Sequence, residues 1–380
     1  MKSIMQKDLW SITSFLENKN YKFNKENILT QLPEKFIDEA IKAISSWDNY
    51  APTPLVKLNK LNDELKFKNI YYKDEDKRFN LKSFKALGGA FAVYKIASEK
   101  KNITVSTATA GNHGRSVAWG AQRLGLKCKI FISEFVSESR AEAMRKLDAE
   151  VIRVKGNYDN SLKECIKQSK ENNWEIVQDV SWEGYKEVPK LIMAGYTIMI
   201  KEILDEVKSN SISHVFLQAG VGGMAAAMIA GFAKLSQNIP KFIIVEPENA
   251  DCVFQSIKNN KPTSVDIKKE TVMGGMSCGD VSSIAWEILK NSSNYCLTIS
   301  DEAISTTVAL LAEKRLSDEK IIAGECAVPG IIALISSFNN KEYLDKLELN
   351  EQSNVLLFGC EGLTDSAMYQ KLLSDGLQKI

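Results

Sequence analysis

Short apolar runs that alternate with longer helical stretches constrain this chain more than any other feature. Strand-sized runs fall at Asn69–Lys73, Ile103–Ser106, Cys128–Ile132, Val151–Val154, Glu175–Gln178, Val215–Gln218, Phe242–Glu246 and Val355–Phe358. Helical stretches such as Leu162–Lys170, Ala225–Leu235 and Ala303–Lys314 lie between them. This alternation predicts βαβ units and mostly parallel sheets with helices on both faces, an α/β fold. At 380 residues and 44% hydrophobic composition the chain can fill two or three compact units. No internal repeat, low-complexity linker or Pro/Gly hinge marks a boundary, and Lys258–Lys269 reads as an exposed loop.

The same composition removes several function classes. A formal charge of +1 provides no bulk field for nucleic acid or an anionic membrane. Met1–Asp8 has no signal-peptide core, and no apolar run approaches the roughly 20 residues that cross a bilayer. Seven cysteines without a C-x-x-C pair read as free thiols in a reducing cytoplasm, with Cys360 the one nearest a motif. No metal-ligand cluster stands out.

Three segments carry chemistry. In Asn80-Leu81-Lys82-Ser83-Phe84-Lys85-Ala86-Leu87-Gly88-Gly89-Ala90, Phe84, Leu87 and Ala90 share or adjoin one helical face, and Gly88-Gly89 leave room for a close approach to the backbone. Most lysines are solvated, but one in a tight apolar setting loses hydration, becomes nucleophilic and can form a Schiff base with a carbonyl. Pyridoxal phosphate is the commonest biological carbonyl of that kind. Ala219-Gly220-Val221-Gly222-Gly223-Met224 follows a strand and opens a helix, which aims backbone N–H groups at a phosphate. The same loop also fits a dinucleotide fingerprint, Gly220-x-Gly222-x-x-Ala225 with Glu246 at the end of the next strand, or simply tight strand–helix packing. Thr107-Ala108-Thr109-Ala110-Gly111-Asn112-His113-Gly114 is a strand-to-helix turn with N–H groups and a side-chain amide suited to a carboxylate. His113 is one of two histidines, and a single histidine without an acid or metal partner is more often structural.

In this order the three segments resemble the fold-type-II (tryptophan-synthase-β-like) pyridoxal phosphate enzymes, a family that includes serine/threonine dehydratases, cysteine synthases and diaminopropionate ammonia-lyase. The resemblance is closest to the last. It is carried by Tyr50-Ala51-Pro52-Thr53-Pro54-Leu55, Arg78-Phe79-Asn80-Leu81, Gln178-Asp179 with Trp182-Glu183-Gly184-Tyr185, Leu217–Gly222, and Glu361-Gly362 with Thr364-Asp365. It covers roughly residues 48 to 366. It implies two domains, each with a mostly parallel twisted sheet flanked by helices, and an active site in the cleft between them. Residues 1–94 and 204–380 would form the larger, cofactor-binding domain and 95–203 a small inserted one.

The resemblance also implies roles. Lys85 would hold pyridoxal 5'-phosphate, Gly220, Val221, Gly222, Gly223 and Met224 would cradle its phosphate, Asn112 would face its phenolic oxygen, and Thr364 its ring nitrogen. A hydroxyl there would make the ring a weaker electron sink than a carboxylate would, although Asp365 stands beside it. Thr109, Ala110, Gly111, Asn112 and His113 would bind the substrate. Asp179, at a strand end where an aspartate is ordinarily a turn residue, would hold or protonate an amine leaving group, and Lys85 would take the Cα proton of an L-substrate. Ala110 stands where the ammonia-lyases carry an aspartate that serves the D-isomer. The expected reaction is elimination of ammonia from L-2,3-diaminopropionate or a close β-substituted alanine, giving pyruvate. Within the family the alternative is a serine/threonine dehydratase or β-replacement synthase; outside it stand an NAD-dependent oxidoreductase built on the Gly220 loop and Glu246, and a non-catalytic binding protein. The family is usually homodimeric, with a small amino-acid substrate and no nucleic-acid or membrane partner.

Overall fold

The computed structural model describes residues 8–109, 111–207 and 212–380, and the chain divides into two compact units. One comprises residues 1–31, 52–77 and 199–380, the other 32–51 and 78–198. In chain order the first unit contributes β1 (Ile12–Glu17), β2 (Leu55–Lys57) and β3 (Asn69–Asp74). The second contributes β4 (Thr104–Ala108), β5 (Lys127–Ser133), β6 (Glu150–Val154) and β7 (Glu175–Ile176). The first then resumes with β8 (His214–Gln218), β9 (Lys241–Pro247), β10 (Tyr295–Ile299) and β11 (Asn354–Gly359). The helix Lys85–Glu99 lies in the second unit, so that unit's boundary falls ahead of residue 94.

The first unit is built on a seven-stranded sheet in the order β1-β10-β9-β8-β11-β3-β2. Its five central strands run parallel, and the edge strands β1 and β2 pair antiparallel to β10 and β3. Every residue of β8, β10 and β11 is buried, which is why Val215–Gln218 and Val355–Phe358 read as continuous apolar runs without alternation. The second unit has a four-stranded parallel sheet in the order β6-β5-β4-β7. Under it Ala108, Phe131 and Cys165 form an apolar cluster with Ile152, Val154, Leu162 and Trp174. The chain is therefore α/β with mostly parallel sheets, as the alternation predicts.

Small residues set how closely the helices of the second unit approach. A side chain added at Gly88 would come within 2.6 Å of the Ile192 carbonyl oxygen, and one at Gly195 within 2.7 Å of the Leu87 carbonyl oxygen. One at Gly120 would meet Ala90 Cα at 2.7 Å. Lys85–Glu99 is thus wedged between Glu187–Tyr196 and Asn112–Arg123, and the approach that Gly88-Gly89 permit is that of neighbouring helices. The turn before it is bent hard. Phe79, Asn80 and Lys82 all take left-handed backbone, a conformation that costs non-glycine residues about 1–2 kcal/mol each. Phe79 is held by its ring packing at a tilt of 32° on Trp119, with centroids 4.6 Å apart.

Candidate active site

Lys85 is the first residue of its helix, and its backbone N–H is received by the Ser83 hydroxyl at 3.3 Å. Phe84 is buried edge-on against Tyr196, with centroids 4.7 Å apart, and the Lys85 amine lies 5.9 Å from the Phe84 ring centre. The amine is not stranded among these apolar groups. Its Nζ donates to Asp179 Oδ2, a carboxylate on the segment that follows β7. Burial opposes the charged form of Asp179, but the His113 and Lys85 charges and the Lys85 hydrogen bond hold its carboxyl well below the usual carboxylate range. His113 is itself held below its ordinary value, by burial first and then by the Lys85 charge, so at neutral pH the ammonium carries that effect.

His113 lies in the first turn of the helix Asn112–Arg123 and is buried. Its Nε2 lies 2.8 Å from the Val177 carbonyl oxygen; a carbonyl only accepts, so Nε2 bears the hydrogen and donates. Nδ1 has no hydrogen-bond partner among the described residues and lies 3.8 Å from Asp179 Oδ2. Sequence reasoning left His113 without an acid partner, and the fold supplies one.

Asp179 is positioned by the residue before it. Buried Gln178 receives the Thr107 hydroxyl at 2.7 Å and the Ala108 N–H at 3.2 Å on its side-chain oxygen. Its side-chain nitrogen donates to the Ala108 carbonyl at 2.9 Å and the Tyr158 hydroxyl at 2.6 Å. The Tyr185 hydroxyl takes the Gln178 backbone N–H at 2.9 Å and donates to the Ile176 carbonyl at 2.8 Å. Tyr185 itself stacks on Trp182 across a turn at Gly184, whose φ is +80°. In the sequence these residues were visible only as a family signature; their bonds span distant segments that no local pattern connects.

The helix Asn112–Arg123 starts without a side-chain cap, and a helix start of this kind suits an anion. Just ahead of it the Thr109 hydroxyl receives the Gly111 N–H at 3.2 Å, and a side chain at Gly111 would meet nothing within 4 Å. Ala110 lies outside the described residues. Thr109, Gly111, Asn112, His113, Lys85 and Asp179 all belong to the second unit.

The glycine loop belongs to the first unit. Gly222 caps the helix Gly223–Leu235 with φ +87°, and no side chain bonds to the helix start. Val221 lends its carbonyl to the Ser282 N–H at 2.9 Å, Met224 is buried, and the space beside Gly223 is open. A side chain on Gly220 would press on Cys278 Sγ at 3.0 Å. The Thr364 hydroxyl is 3.4 Å from Glu361 Oε2, while the Asp365 carboxylate accepts the Met368 N–H and so caps the last helix. Glu246 serves no ribose. It is fully buried and accepts the Val253 and Phe254 N–H groups at 2.8 and 2.7 Å, tying β9 to the helix Cys252–Asn259. The dinucleotide reading loses its acid.

Residues 47–361 match the family model described as "Pyridoxal-phosphate dependent enzyme". The diaminopropionate ammonia-lyase of Escherichia coli K12 is 34% identical over 352 residues, which is 86% of this chain and 88% of that protein. A biosynthetic L-threonine dehydratase from Haemophilus influenzae is 30% identical over 213 residues, but these span only 39% of its length. The crystal structure of the Escherichia coli ammonia-lyase in complex with D-serine superposes with a TM-score of 0.89 at 30% identity, covering 97% of this chain and 99% of that one. A processed threonine deaminase from Solanum lycopersicum shares the fold, with a TM-score of 0.80.

Proposed function

The chain belongs to the family of pyridoxal-phosphate dependent enzymes, and on that premise we propose that it is a carbon–nitrogen lyase acting on L-2,3-diaminopropionate or a close β-substituted alanine, with pyruvate and ammonia as products. The observation that carries the choice of an amine leaving group is the pairing of Lys85 with Asp179. A carboxylate beside the nucleophilic amine suits a substrate that brings a second ammonium.

The residues fit pyridoxal 5'-phosphate. A 13-residue helix with a left-handed glycine at its N-cap and open space at the next position suits a phosphate. Lys85 would hold the aldehyde, Asn112 the phenolic oxygen and Thr364 the ring nitrogen. Bound there, the cofactor supplies a ring that withdraws electrons from the substrate's Cα. Lys85 takes the Cα proton. Asp179 holds the β-ammonium and manages its proton as the amine departs. The helix start at Gly111 and Asn112, with Thr109 and the backbone at His113, would receive the substrate carboxylate. The seven cysteines are free thiols, and among the described residues no helix is long and apolar enough to cross a membrane; the cytoplasmic homodimer is proposed from the family resemblance.

Borohydride reduction followed by peptide mass spectrometry should fix the cofactor to Lys85, and Lys85→Ala should abolish turnover. Asp179→Asn should keep the cofactor attached yet slow amine elimination by about a hundred- to ten-thousand-fold. An adduct on another lysine, or an unchanged Asp179→Asn rate, contradicts the assignment.

A further inference from the structure

One oxygen, Asp179 Oδ2, faces two nitrogens: Lys85 Nζ, which donates to it, and His113 Nδ1, 3.8 Å away. Since Nε2 of His113 spends its hydrogen on the Val177 carbonyl, a neutral ring turns a lone pair on Nδ1 toward a carboxylate. Two acceptors facing each other inside a protein repel unless a proton lies between them. While the Lys85 ammonium is present, the charge on Oδ2 is satisfied from the other side and the ring can stay neutral. Once that ammonium is gone, His113 is the remaining side chain that favours the charged form of Asp179.

We propose that His113 is the alternate proton site for the Lys85–Asp179 pair. When Lys85 must act as a free amine, the proton that Nζ donates to Oδ2 passes through that oxygen to Nδ1. One Nζ–H bond breaks and one Nδ1–H bond forms. The three groups stay neutral in sum, and Asp179 remains a carboxylate able to receive a substrate ammonium. The nitrogen and oxygen must close from 3.8 Å to about 3 Å, roughly one ångström of side-chain movement. His113 acts through Asp179 on Lys85 and is a positioning residue. The titratable groups that act on it are Asp179 and Lys85. Tyr196, which feels both of these charges, keeps its phenol proton because burial pushes it far above its usual range.

This inference deepens the preceding reading, since it takes Lys85 as the residue that must lose its proton. Its test does not depend on the substrate. The chain has two histidines, and the other, His214, is buried in the first unit with Nε2 on the Leu347 carbonyl. Nitrogen-15 histidine NMR of the full chain therefore gives two imidazole systems, one of them an internal control. Freed of cofactor, the unmodified chain should show His113 neutral with its hydrogen on Nε2 at pH 7. With cofactor attached, and in Lys85→Ala, Nδ1 should be protonated as well, and Lys85→Ala combined with Asp179→Asn should return the ring to neutral. His214 should not move. A ring that stays neutral in Lys85→Ala between pH 6 and pH 9 overturns the proposal, as does one charged whether or not Lys85 is present. As a kinetic readout, His113→Gln should cut kcat/KM at pH 7 by about tenfold or more and regain much of it as the pH rises, because solvent must then accept the proton. A loss equal at every pH would mean that His113 only packs, and would also overturn it.

Discussion

Asp74, at the end of β3, shows what burial does to a single carboxyl. Burial pushes it up to about 6, Asp76 and Glu75 add to the shift, and the Asp76 N–H bond opposes it. The folded chain therefore holds this proton more tightly than the unfolded chain, so a penalty on the charged form is present above pH 6 and is released as the pH falls toward 4. At about two pKa units the penalty is of the order of 3 kcal/mol. Asp74→Asn, which keeps an oxygen for the Asp76 N–H, should stabilise the protein at pH 8 and by only about a third as much at pH 4.5. Denaturant unfolding at both pH values reads this, and an equal gain at both contradicts the assignment. At this scale residue type was informative for Lys85, a lysine among small apolar residues, whereas Asp179 stood out only through the family resemblance. The Nδ1 of His113 was not legible, because its partner lies in a distant segment that only the fold brings near.

Among elements, the buried parallel strands β8 and β11 were legible, since a strand covered on both faces must be apolar throughout, but β10, equally buried, was not among the runs read. The edge strands β1 and β2 were not, because half-exposed edges need neither a run nor an alternation. Glu246 misled for a related reason: an acid after a strand suits a ribose or a helix start equally, and only the Val253 and Phe254 bonds decide. The glycine-capped helix makes the sharpest elemental prediction. A side chain at Gly222 would need φ +87° and would sit 2.8 Å from Leu289 Cδ1. Gly222→Ala should cost about 1–2 kcal/mol of stability and weaken cofactor binding, because the loop that presents the N–H groups must shift. Thermal unfolding and absorbance titration with the cofactor check the two effects. A variant with full stability and affinity would remove the phosphate role from this turn.

For the whole molecule, the order of motifs carried the family and the α/β class, while the division into units did not follow from any hinge in the sequence. We infer a departure in stereochemistry from position 110. An alanine has no group that can accept a proton. The unmodified enzyme should therefore strongly prefer the L-isomer, and Ala110→Asp should raise turnover of D-2,3-diaminopropionate relative to L. Comparable rates on both enantiomers before mutation would require a second base elsewhere.

The central claim is that the Lys85–Asp179 centre expels an amine. Pyruvate release measured side by side on L-2,3-diaminopropionate, L-serine, L-threonine and L-cysteine tests it most directly. A centre that expels an amine should show its highest kcat/KM on L-2,3-diaminopropionate. A clear preference for L-serine or L-threonine would contradict it and place the chain with the dehydratases.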